Sequence, residues 1–158
     1  MEEKANELII LVEKELNLYN ELLFNEFDKG CLLYEHQIDM FNKKNEVSSL
    51  ILNEISSIID KKKSIIELFR NEFENEEISI EKIIRKFYPE KLEKYIEIKE
   101  ALKKILIKLS DLNSKNKIIL DTTYSVSKIV IDGLNKENIY NEKGSLCDSY
   151  FSTVRYSV

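Results

Sequence analysis

Residues 95–130 read YIEIKEALKKILIKLSDLNSKNKIILDTTYSVSKIV. Along them Tyr95, Ile98, Leu102, Ile105, Leu109, Leu112, Asn116, Ile119, Thr123, Val126 and Val130 recur at alternating steps of three and four. That is the spacing of a helix that lays one face against other helices. The pattern predicts a helix over about 90–134, roughly 65 Å long at 1.5 Å per residue. Pro89 suits its first turn, Glu90 complements the positive end of its dipole, and Gly133 is a stop. The polar seam members, Asn116 and Thr123, fall in the second half. A buried asparagine weakens helix packing and fixes register, so this half is either locally specified or not fully occupied.

Two earlier segments carry related stripes. From about residue 3 to 27, Ile9, Val12, Leu16, Tyr19 and Leu23 keep the three-and-four spacing. Phe27 and Cys31 then follow at steps of four, a drift like a coiled-coil stutter. Gly30 lies in that drift, where the helix either bends or ends. The stripe resumes at Tyr34, Ile38 and Phe41 and continues through Val47, Leu50, Ile51, Ile55, Ile58, Ile65, Leu68 and Phe69. The Lys61-Lys62-Lys63 run puts Lys62 on this seam, and a solvated helix face accounts for the run. Acidic residues 72–77 read as a helix end and a connection. Ser79 opens a short helix that reaches Phe87.

Composition points the same way. Among 158 residues there are three glycines and one proline, too few for the tight turns of a sandwich, barrel or doubly wound sheet. The expected fold class is all-α: an elongated antiparallel coiled-coil-like bundle of about three long helices with a short connecting helix. Residues 1–134 form that bundle. Residues 135–158 form a tail with four aromatics (Tyr140, Tyr150, Phe151, Tyr156), four serines and no helical stripe, either a hairpin or mobile. The net charge of −5 disfavours nucleic acid and membrane surfaces as partners. No apolar run approaches the roughly 20 residues of a membrane span, and the acidic opening Met1-Glu2-Glu3-Lys4 is unlike a signal peptide. With Cys31 and Cys147 far apart in sequence, a reduced, cytoplasmic compartment is the expectation.

Enzymatic chemistry has little to work with. The single histidine, His36, has no ligand cluster around it, so no metal is expected. The glycines form no phosphate-binding loop. Carboxylates lie opposite the apolar stripes, where solubility explains them. No catalytic residue, no cofactor and no enzyme activity are expected. A bundle of stripes instead suggests helix binding, and the candidate surface is the late part of the third segment together with the tail.

The stretch Asn113-Ser114-Lys115-Asn116-Lys117-Ile118-Ile119-Leu120-Asp121-Thr122-Thr123-Tyr124-Ser125-Val126 resembles the late helix of FlgN-type flagellar export chaperones. These show two asparagines three apart, an aliphatic cluster, then small and aromatic residues. The turn that often follows is matched by Tyr140-Asn141-Glu142-Lys143-Gly144, and Leu22, Leu23, Glu26, Lys44, Leu50 and Ile51 are similar to the early part. The resemblance implies a cytoplasmic chaperone that holds the amphipathic terminal helices of flagellar hook-associated (hook–filament junction) proteins. It prevents their premature association and delivers them to the type III export gate. The client-binding residues it implies are Asn113, Asn116, Ile118, Ile119, Thr123, Val126 and Val130. Tyr124 and Tyr140 are implied to contact client or export gate. On seam position alone, Asn116 reads first as a register-setting core residue rather than a recognition residue. The rival reading is a self-associating coiled-coil scaffold, and a homodimer is compatible with both.

Overall fold

A computed structural model describes residues 1–73 and 78–137, with side chains as far as Asp132. The described residues are helical, with no strand among them. Helix α1 spans Glu2–Tyr34, α2 Ile38–Leu68, α3 Ile80–Phe87 and α4 Leu92–Glu137; short 3-10 turns cover Arg70–Glu72 and Pro89–Lys91. Two compact units divide the chain, Met1–Ile119 and Leu120–Val158. The acidic residues 74–77, and the tail with its hairpin-or-mobile alternatives, lie outside the described residues.

In the first unit α1 does not bend or end at Gly30; it continues to Tyr34. Gly30 serves a contact instead. A Cβ there would stand 2.7 Å from Asn116 Oδ1, so the missing side chain makes room for α4. The helix stops four residues later. The His36 N–H donates to Leu33 O at 3.2 Å and the Gln37 N–H to Leu32 O at 2.9 Å, with His36 at φ 59°. This pairing is the Schellman arrangement, with histidine in the left-handed position usually held by glycine. The lone histidine therefore shapes a turn. After it α2 runs back along α1, because Lys44 pairs with Asp28 and Lys14 with Glu54.

The first unit is built as layers. At one end Ala5 and Leu8 meet Ile65, Phe69 and Ile83, and the Phe69 and Phe87 rings pack with centroids 5.2 Å apart. Beside them Ile9 and Val12 meet Ile84, Tyr95 and Ile98. Helix α3 closes this end. Ser79 caps it by accepting from the Lys82 N–H at 3.2 Å, and Ile83 and Ile84 are fully buried. Next comes a charged layer in which the Lys62 ammonium pairs with the Glu15 carboxylate. Lys61 and Lys63 are exposed, so only the middle lysine of the run enters the interior. Beyond it Leu18, Leu22, Ile55, Ile58, Ile105 and Leu109 form an apolar layer shared by α1, α2 and α4. Across these layers α4 follows α1 in the same direction: Lys94 pairs with Glu13, and Asn116 reaches Glu26.

Candidate functional site

From the layer of Leu18 and Leu22 toward the α1–α2 turn, the next layer is polar. Asn25 Nδ2 donates to Lys44 O and to Ser48 Oγ, both at 2.8 Å. The Ser48 hydroxyl donates to Glu26 Oε1 at 2.7 Å, where the Lys29 ammonium also donates at 2.7 Å. From α4, Asn116 Nδ2 donates to the backbone carbonyl of Glu26 at 2.9 Å. Lys29 Nζ also stands 5.6 Å from the centroid of the Phe41 ring. All five polar residues are buried, and no buried side-chain polar atom among the described residues lacks a partner. A satisfied network of this kind fixes which helix faces meet, because slipping any helix would strand buried donors.

This layer changes the reading of α1. The spacing of apolar residues puts Phe27 and Cys31 on the seam, yet both are exposed, while Asn25, Glu26 and Lys29 are buried. Apolar spacing alone could not find this, since the partners that make the buried groups tolerable come from α2 and α4. On α2, likewise, Ser48 is buried while Val47 and Leu50 are exposed.

The residues implicated in client binding separate into groups. Asn116 is only 6% exposed and its amide is engaged by α1, so it belongs to the core of the first unit. Asn113 is exposed, and Ile119 is half-buried. Ile118 is exposed. In the second unit Thr123 is half-buried, whereas Tyr124, Val126 and Val130 stand in solvent, Tyr124 at 70%. Tyr140 lies outside the described residues. Three exposed residues were not singled out by spacing: Leu120, Ile129 and Ile131. The missed signal is the narrowness of the polar stripe. Lys117, Asp121, Ser125, Lys128 and Asp132 follow at steps of four, four, three and four, and apolar groups fill much of the remaining circumference.

Among the described residues, no three His, Cys, Asp or Glu side chains converge as metal ligands. No helix among them is long and apolar enough to cross a membrane. Burial raises the Tyr19 and Tyr95 phenols above their ordinary value, with carboxylates adding to the effect at both. Compared with models of protein families, with curated proteins and with solved structures, the chain matches none.

Proposed function

We propose that this protein is a helix-capturing export chaperone of the FlgN type, working in the cytoplasm on flagellar hook-associated proteins. One observation carries the reading: the helix of the second unit holds Leu120, Tyr124, Val126, Ile129, Val130 and Ile131 exposed. Monomeric proteins rarely leave so much contiguous apolar surface in water unless a partner covers it. The chemistry of that surface selects the partner. Its apolar residues occupy most of the circumference left by Lys117, Asp121 and Lys128, so it favours the apolar face of an amphipathic helix over an acidic or basic peptide. In this reading the bundle of the first unit is antiparallel and coiled-coil-like and acts as a handle. The client's terminal helix lies along Ile118, Ile119, Val126 and Val130, with Tyr124 at the edge for client or export gate. A covered client helix cannot associate prematurely, and an interface without buried ion pairs lets go without stranding a charge. No catalytic step is assigned.

Co-expression with hook-associated proteins tests this. The full-length client is expected to co-purify, the client without its terminal helices is not, and Val126→Asp with Ile129→Asp is expected to abolish capture while leaving helicity unchanged. Failure to retain any client, together with a tight homo-oligomer that the same substitutions dissociate, overturns the reading in favour of a self-associating scaffold.

A further inference from the structure

Helix α1 carries an apolar stripe that the interior of the first unit does not use. Phe24, Phe27, Cys31 and Tyr34 follow at steps of three, four and three, and all are exposed, Phe24 at 72% and Phe27 at 60%. The same turns of the helix bury Asn25, Glu26 and Lys29. Large aromatics outside and charges inside reverse the usual preference and mark the outer face as one that meets something apolar. Opposite Phe24 and Phe27, α4 presents Leu112 between Lys108 and Lys115. With Leu23, Asp28 and Asp111 these residues line an open groove of about 630 Å³.

The two rims of the groove differ in sign. On α1, Glu21 and Asp28 are exposed and seven residues apart, so they share a side of the helix. Asp28, the acid of α1 that lines the groove, is engaged by Lys44 at 2.6 Å, which leaves Glu21, one heptad earlier, with most of that rim's charge. On α4, Lys108 and Lys115 are also seven apart, with Asp111 the one acid on that wall of the groove. Flanking charges at heptad spacing choose partner and direction when helices pair.

We infer that this groove binds one amphipathic helix of another protein, with large apolar residues on its seam, a basic flank against α1 and an acidic flank against α4. Such a helix satisfies both rims in one direction only, so the groove also sets which way the partner runs. The site is distinct from residues 118–131 and does not depend on their assignment.

Three fluorescent helical peptides with the same leucine seam test the proposal on the full-length protein by anisotropy. One has a lysine flank and a glutamate flank, one has lysine on both flanks, and one has glutamate on both. The mixed peptide is expected to bind about tenfold more tightly than either other. Phe24→Ser with Phe27→Ser is expected to weaken it by about tenfold or more while leaving the thermal transition in place, because both rings are already exposed. Lys108→Glu with Lys115→Glu should transfer the preference to the peptide with lysine on both flanks, and Val126→Asp should change nothing. Equal binding of the three peptides overturns the proposal, as does binding that survives loss of both phenylalanines. Loss of binding in Val126→Asp alone would move the site to the late part of α4. Self-association abolished by the phenylalanine substitutions would make the occupant a second copy.

Discussion

Between Tyr95 and Asn116 the stripe of α4 is buried against residues of α1, α2 and α3, whereas from Leu120 to Ile131 the same helix holds its isoleucines and valines in water. The spacing is common to both halves. Periodicity therefore specifies a face, and whether that face is covered depends on what lies opposite. The covered half has partners from three helices within its own unit; the uncovered half is the part proposed to find one in another protein.

Stability should divide along the same line. Leu109→Ala removes a side chain from the apolar layer shared by α1, α2 and α4 and is expected to cost about 2–5 kcal/mol in urea unfolding. Val130→Ala, at an exposed site, should stay within about 0.5 kcal/mol. Equal losses at the two positions would mean that the late half is covered after all. The covered half also tolerates charge only in matched form. Glu15→Leu strands the Lys62 ammonium and is expected to cost about 2 kcal/mol, less than a fully enclosed pair because Lys62 retains some access to water. Adding Lys62→Met should restore most of the loss, measured by the same unfolding curves.

The last buried position of α4 gives a finer test. Alanine is the better helix former by about 1 kcal/mol, so Gly30→Ala should stabilise α1 where nothing opposes it. In the native protein Asn116 opposes it, since the new methyl meets Oδ1 while the amide is bonded to Glu26. Gly30→Ala is therefore expected to gain nothing alone and to gain about 1 kcal/mol in an Asn116→Ala background. Additive effects would show that Asn116 is not held there.

The smallest effect concerns Glu81, which pairs with Arg85 within α3 and with Lys99 of α4. Hydrogen bonds from Lys99 and then Arg85 hold the Glu81 carboxyl below its ordinary value of 4.5. A carboxyl whose folded pKa is depressed contributes stability above its unfolded value and loses it as the pH falls through the folded one. Glu81→Gln should flatten that acid-side slope slightly, with less difference at high salt, since the groups are exposed. An unchanged slope would assign the acid sensitivity elsewhere.

What could be read from the chain alone follows the same physical division. The seam of α4 from Tyr95 to Leu112, the Ser79 cap and the short helix ending at Phe87 were legible because each is a local signal. Gly133 reads as a stop, but α4 continues to Glu137, because a single glycine weakens a helix without ending it. Lys62 was placed on the α2 seam, yet its partner Glu15 lies on another helix and no local pattern points to it. The polar layer around Glu26 and Lys29 was hidden for the same reason. Its five members come from three helices, and counting apolar residues moved the seam toward Phe27 and Cys31. Of the late α4 surface, Val126 and Val130 were legible from spacing, whereas Ile129 and Ile131 were not, because they fall outside a stripe drawn for a single partner.

The polar layer also has a consequence in time. Its Asn25–Ser48 bond joins residues 23 positions apart, but its Asn116–Glu26 bond spans 90. Contacts close in sequence form sooner, since less chain must be brought together before they are rewarded. On a ribosome the α1–α2 hairpin is therefore expected to close first, with its turn and its serine–asparagine clasp, while α4 is still unmade. Until α4 emerges, Leu18, Leu22, Ile55 and Ile58 are left without Ile105 and Leu109. A protein proposed to shelter other chains' helices thus passes through a stage of its own synthesis in which its own helices have the same need.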